Sequence, residues 1–193
     1  MDDQWLVVGL GNPGPGYAAN RHNVGQQALA VLADRHSAVF KNHRSNAAVA
    51  LTRTPDSAEQ LVLAKPNTFM NVSGAPVAAL MRFYKIAPHR LIVLHDELDV
   101  PFDSVRLKHG GGHGGHNGIR AIMAAIGTGD FTRVRIGIGR PPGRQAAADF
   151  VLRDFDADQR AALPNLLTDA ADAAELIATH GLTAAQLKFH SPR

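Results

Sequence analysis

The sequence predicts an α/β fold, built as a single-domain α/β sandwich on a mostly parallel sheet. Three observations carry this expectation. Short β-like apolar runs alternate with helically spaced segments along the whole chain. No internal repeat and no linker long enough to separate domains interrupts them. The 193 residues suit one unit, 1–193, and a chain of that size buries about 70% of its unfolded surface without a disulfide or metal staple.

Each element follows from its local pattern. Trp5 to Leu10 reads as a buried strand. Val24 to His36 is helical, with Val24, Ala28, Val31 and Leu32 on one face. Ala47 to Arg53 and Leu61 to Lys65 are short strands around a polar loop, TPDSAEQ, and could pair as a hairpin. Gly74 to Tyr84 is a helix with Pro76 in its first turn, and Pro88 marks its end. Leu91 to His95 and Val105 to Lys108 are strands. HGGGHGGHNG holds too much glycine for a regular element. Asn117 is placed to cap a helix from Gly118 to Ile126. Arg133 to Gly139 alternates like a strand, RPPGR breaks the chain, and Asp156 to Thr179 reads as one or two helices. A short helix follows from Thr183.

Composition excludes several chemistries. The chain has no cysteine, so a disulfide scaffold, a thiolate metal site and a cysteine nucleophile are ruled out. The start, MDDQWLVVGL, lacks a basic segment followed by a long apolar run, and no segment reaches membrane-span length. A cytoplasmic protein is expected. The net charge is +3, but it is segregated. Seven Lys/Arg oppose two Asp between Pro101 and Arg144, and seven Asp/Glu oppose two Arg between Asp149 and Glu175. Such segregation suits an anionic partner at one face, although solvated surface charge gives the same pattern.

The chemically suggestive residues follow strands. Asn12 follows the first, with His22 beyond it; Asn67 to Asn71 follow Leu61 to Lys65; Asp96 follows Leu91 to His95; His113, His116 and Asn117 follow Val105 to Lys108. If these strands are parallel, all four groups meet at their carboxyl ends, where open α/β sheets bind ligands. If the hairpin dominates, some move to the other end.

VVGLGNPGPGY carries the dinucleotide spacing G-x-G-x-x-G at Gly9, Gly11 and Gly14, with Asp34 some 20 residues on. The context argues against a cofactor cradle. Gly14 lies between Pro13 and Pro15 instead of in a first helical turn, and Asp34 sits inside a helix instead of at a strand end. The alternatives are a tight turn or a turn that presents Asn12. GGGHGGHNG lacks the Gly-Lys-Ser/Thr ending of a phosphate loop. His109, His113 and His116, with Asp96, form a possible metal set, or the first two belong to an exposed flexible gate. No G-x-S-x-G elbow is present. A directly activated water is then the simplest hydrolytic route, and His22 held by Asp96 is the candidate base. His95, inside a strand, reads as a packed histidine. A non-catalytic RNA-binding module is the competing class.

Six motifs occur in order: VVGLGNPGPGY, RHNVG, KPNTFMNVSG, HDELDVP, GGGHGGHNG and FTRVRIGIGRP. Together they closely resemble the bacterial peptidyl-tRNA hydrolases. The resemblance implies a monomer with a twisted mixed sheet, parallel at its core and wrapped by helices. It implies hydrolysis of the ester between a peptide and the 3′ ribose of tRNA, recycling tRNA from stalled translation, with no metal and no organic cofactor. By the same resemblance His22 is the general base and Asp96 holds its imidazole. Asn12 helps discriminate peptidyl from free aminoacyl substrates. Asn71 and Asn117 bind substrate and help place the water. Tyr17, Phe69, Met70 and His116 lie along or near the cleft. Lys108 and Arg135 clamp the tRNA 5′ phosphate, and the glycine-rich loop with the following helix forms a movable lid. Two positions depart from the pattern: Asn20, where threonine is expected, and His109, where an aliphatic residue is expected.

Overall fold

The computed structural model describes residues 3–191; the first two residues of the acidic start and the last two of the LKFHSPR tail lie outside the described residues. Seven strands form one mixed sheet in the order β2-β3-β4-β1-β5-β7-β6. These are β1 (Gln4–Gly9), β2 (Lys41–His43), β3 (Ala47–Arg53), β4 (Gln60–Pro66), β5 (Leu91–Glu97), β6 (Val105–His109) and β7 (Thr132–Gly137). The four central strands β4, β1, β5 and β7 are parallel, as the apolar runs of Leu61–Ala64, Leu6–Val8 and Leu91–Leu94 require for strands covered on both faces. β2, β3 and β6 are antiparallel to their neighbours and close the two edges.

Helices α1 (Val24–Arg35), α5 (Ala157–His180) and α6 (Leu182–Phe189) pack on one face, and α2 (Gly74–Tyr84) and α3 (Asn117–Ile126) on the other. The sheet alternation feeds both layers: Val7, Leu63, Ile92 and Val134 point to the first, and Leu6, Val8, Val62 and Val93 to the second. Each fully buried Val or Leu contributes about 1.5–3 kcal/mol, so two such layers supply the main drive to fold. In α3 the apolar positions Ile119, Ile122, Met123 and Ile126 keep helical spacing, and a capping box between Asp156 and Gln159 starts α5. Pro164 lies in the second turn of α5, and the helix runs through it unbroken for 24 residues. The expectation of one or two helices thus resolves as one.

Gly9 and Gly11 of the first motif and Gly25 of the second work by packing. A Cβ on Gly25 would lie 2.2 Å from Leu94 O, and one on Gly9 would lie 2.6 Å from Gly25 O. Helix α1 therefore rests directly on β1 and β5, and its N-terminus is fixed over the carboxyl ends of those strands. Gly11 has the same role against the Asn23 side chain, whereas Gly14 adopts φ 101° in the turn. Gly9 and Gly11 are thus taken up by close contacts within the chain.

The sheet corrects one expectation about convergence. β3 and β4 do form the hairpin, yet β4 stays parallel to β1, so Asn67–Asn71 remain at the carboxyl end. β6 is the strand that runs the other way: His109 pairs with Thr132, the first residue of β7. The segment after β6 therefore starts at the amino end of the parallel strands and climbs back to the site. Four of its glycines, Gly110, Gly111, Gly114 and Gly115, have positive φ, which is why the stretch is glycine-rich.

Candidate active site

His22 is carried on a 3-10 turn, Arg21–Asn23, just before α1, and Asp96 lies near the end of β5. His22 Nδ1 lies 3.0 Å from Asp96 Oδ1 and 2.9 Å from Oδ2. His116 Nε2 lies 2.8 Å from the same Oδ1. The tautomer of His116 follows from its other nitrogen: Nδ1 accepts the backbone N–H groups of Gly118 and Ile119 at 3.1 and 3.3 Å, so the proton sits on Nε2 and is donated to Asp96. His116 is thus the N-cap of α3, and the helix begins at Asn117 itself; the expected capping role of Asn117 is corrected.

Asp96 is 3% exposed, so its ionisation is set by these neighbours. Burial alone would raise its pKa; the imidazoles of His116 and His22, each hydrogen-bonded to it, outweigh that and hold it well below the ordinary carboxylate range. For His22, burial works against the charged ring, while the charge and hydrogen bond of Asp96 more than offset it and raise the pKa. With Nδ1 bonded to Asp96, Nε2 is the free basic nitrogen. His95 behaves in the opposite way. It is buried in β5 with Nδ1 2.7 Å from Asp96 O, and burial, aided by nearby His116, lowers its pKa to about 3. It is a neutral packed histidine, as its strand position predicts.

The first loop is tied to the same turn. Asn23 Oδ1 accepts Asn12 N–H and Asn23 Nδ2 donates to Asn12 O, both at 2.9 Å. Asn12 Oδ1 accepts Met70 N–H at 2.7 Å, which orients the amide and leaves its NH₂ without a partner among the described residues. Asn71 is exposed on the 3-10 turn Met70–Val72 beside it. Tyr17 and Phe69 meet edge to face at 6.0 Å, with Phe69 about half exposed. The cavity beside His22, Asp96, His116 and Asn117 is bounded by Glu97 and Leu98, by Gly114 and Gly115 of the loop, and by Ala147, Ala148 and Val151 of α4 (Ala147–Val151). That helix is held by buried Arg21, whose guanidinium lies 4.0 Å from the Phe150 ring centroid and donates to Phe150 O. Asn20 Nδ2 donates to Asp154 Oδ1 at 2.7 Å beyond it. The first departure from the expected pattern therefore lies where the 3-10 turn meets the α4–α5 connection.

Lys108 and Arg135 lie apart from this cavity, on the β6–β7 ladder. Arg135 is directly opposite Arg106, and Lys108 opposite Arg133. The alternation puts all four cations on one sheet face, and no carboxylate pairs with Lys108 or Arg135 among the described residues. Arg135 Nε is buried without a hydrogen-bond partner.

Of the possible metal set, only His116 joins Asp96; the third member is His22, and the three present ligand atoms within 4.8 Å of one another. The donor chemistry does not suit an ion. His116 Nε2 carries its proton because Nδ1 caps α3, and freeing it would cost that cap. His113 Nδ1 instead accepts Gly115 N–H inside the loop, and His109 Nδ1 lies 3.3 Å from Thr132 Oγ1. Sequence reasoning assigned no role to Asn23, Arg21 or Arg133. The first two stand beside His22 in RHN, but a side chain that holds another loop leaves no periodic signal.

The chain is similar in sequence and fold to known proteins. The family model described as peptidyl-tRNA hydrolase matches residues 6–193. The chain is 63% identical over 191 residues to a peptidyl-tRNA hydrolase of Leifsonia xyli, covering 99% of each chain. It is 56% identical over 190 residues to that of Pseudarthrobacter chlorophenolicus, covering 98% of this chain and 97% of the relative. The crystal structure of peptidyl-tRNA hydrolase from Acinetobacter baumannii superposes with a TM-score of 0.91 at 34% identity, covering 100% of this chain and 97% of the other. Overall fold and sequence agree over nearly the whole length, and the chain belongs to the peptidyl-tRNA hydrolase family.

Proposed function

We propose that the protein hydrolyses the ester joining a peptide, or an N-blocked aminoacyl group, to the 3′ ribose of tRNA, with His22 as general base on water. The observation that carries this reading is the Asp96–His22 pair, in which Nδ1 is fixed and Nε2 is left free at the cavity. His22 Nε2 removes a proton from water as the water oxygen bonds to the ester carbonyl carbon. When the intermediate collapses, the bond to the ribose 3′ oxygen breaks and that oxygen takes the proton back from Nε2. Asp96 keeps the imidazole in the required tautomer and stabilises the transient imidazolium, the division of labour seen in hydrolase triads.

The NH₂ of Asn12, fixed by Met70 N–H on its oxygen side, is a donor for the first peptide carbonyl of the substrate. A free aminoacyl ester has an ammonium there and no carbonyl, which supplies the discrimination. Asn117, which lines the cavity, and Asn71, exposed on the Met70–Val72 turn, bind the peptide backbone or CCA end and help place the water. Tyr17, Phe69, Met70 and His116 complete the cleft walls. Lys108 and Arg135 receive the 5′ phosphate, on a ladder face where four cations lie side by side and neither of these two has a carboxylate partner among the described residues. The protein acts as a cytoplasmic monomer in this reading, and no helix among the described residues is long and apolar enough to cross a membrane.

The experiment is a release assay on N-blocked and unblocked aminoacyl-tRNA with wild type and His22→Ala. Wild type is expected to release only the blocked substrate at speed. The variant is expected to lose about 10²–10⁴-fold in rate while still binding tRNA. Equal activity in the variant sinks the mechanism.

A further inference from the structure

We propose that Arg133 is a positioning residue for the hydrolytic reaction: it anchors the root of the glycine-rich loop to both the start and the end of the α3 unit. The proposal rests on the reading that this loop delivers His116 and Asn117 to the substrate.

Arg133 points from β7 to the α2–α3 face of the sheet and is 3% exposed. A buried guanidinium ordinarily has a carboxylate partner, and among the described residues Arg133 has none. Its partners are backbone carbonyls from two segments. Nη1 donates to Gly112 O, and Nη2 donates to Gly111 O at 3.0 Å and to Gly129 O at 3.2 Å. Gly111 and Gly112 begin the ascent to His116. Gly129 lies in the turn that follows α3. Nη2 also lies 3.7 Å from Met123 Sδ on α3 itself, and the guanidinium carbon lies 4.7 Å from the Phe131 ring centroid. One planar fork thus fastens the segment before the helix, the helix and the segment after it.

The loop needs such a fastening. Positive φ at Gly110, Gly111, Gly114 and Gly115 leaves it little intrinsic stiffness, yet it must hold His116 Nε2 within 2.8 Å of Asp96. The two segments also touch: a Cβ on Gly129 would come within 2.9 Å of Gly111 O. Opposite Arg133 on the ladder, Lys108 packs against Gly111, where a Cβ would lie 2.6 Å from its ammonium. The anchor therefore lies between the candidate phosphate clamp and the loop. Lysine does not reproduce it, because its three donors radiate from one nitrogen on a flexible stem, whereas Nη1 and Nη2 are separate nitrogens held in one plane.

The test compares wild type, Arg133→Lys and Gly129→Ala. Gly129→Ala displaces Gly111 without removing a charge, so it keeps the proposal testable if the arginine variant folds poorly. Both variants are expected to show faster amide hydrogen exchange across 110–117 and a fall of about tenfold or more in kcat, with KM within about threefold and an unchanged salt dependence of KM. Unchanged exchange overturns the anchor. A rise in KM with a shallower salt slope and unchanged kcat also overturns it, making Arg133 a phosphate contact. Faster exchange with unchanged kcat overturns the positioning role. Asn117→Ala is measured alongside: its own loss of activity shows the reading of the site intact whichever way Arg133 falls.

Discussion

His22 Nδ1 stands 2.9 Å from Asp96 Oδ2, and Asp96 Oδ1 also receives the N–H of His116 at 2.8 Å. One buried carboxylate is shared between the base and the histidine that starts α3. The acid-base behaviour of the first is therefore tied to the position of the second.

Replacing Asp96 by Asn removes the charge that raises the His22 pKa. The acid limb of kcat/KM, set in wild type by a His22 pKa above 6.5, is expected to move to lower pH. The plateau rate should fall by about 10²-fold or more, since the imidazolium loses its counter-charge. A pH–rate profile of the variant checks both, and an unmoved limb argues against the pairing.

Substituting His116 by Asn separates its two contacts. Asparagine still caps α3, so the melting temperature should stay near wild type. It cannot reach Asp96, whose carboxylate then loses one of its two N–H donors and attracts a proton on His22 more strongly. The acid limb should move to higher pH, opposite to Asp96→Asn, with kcat lowered about tenfold. The same profile reads it out.

Asn12→Asp keeps an oxygen for Met70 N–H but replaces the NH₂ donor by an acceptor. The fold should persist, and release from N-blocked aminoacyl-tRNA should fall by about 10-fold or more. The preference for blocked over unblocked substrate should shrink with it. A variant that keeps full preference removes Asn12 from discrimination.

Lys108→Ala and Arg135→Ala are expected to raise KM for a tRNA substrate and leave kcat on a minimal CCA-end ester unchanged. Each should lower the slope of log K against log salt by about 0.7–0.9, the contribution of one phosphate contact. Titrations at several salt concentrations decide it, and an unchanged slope places the phosphate elsewhere.

His95 predicts acid sensitivity of the fold. Its folded pKa of about 3 lies below the unfolded value of 6.5, so the unfolded chain binds the extra proton between these limits. The resulting stability is present above pH 6.5 and is lost as pH falls towards 3. Asp96 adds a loss only below 3.8, because its pKa is depressed from that value. Denaturant melts from pH 7 to 4 should show falling stability in wild type and a flatter dependence in His95→Phe.

The sequence by itself determined the element order and the identity of the pair. Alternating apolar runs marked the central strands β1, β4 and β5, Pro76 and Pro88 framed α2, and the motif order placed His22 and Asp96 together. These are local signals, written in periodicity, turn chemistry and motif spacing. The direction of β6 was not legible, because a short strand looks the same in either orientation and only its pairing with β7 sets its sense. The short elements β2 and α4 were missed for want of length. The tautomer of His116, the hold of Asn23 on Asn12 and the fastening of the loop by Arg133 join residues 2, 11 and about 20 positions apart through a few hydrogen bonds each. Such contacts leave no pattern in the chain; tertiary packing alone decides which buried donor meets which carbonyl.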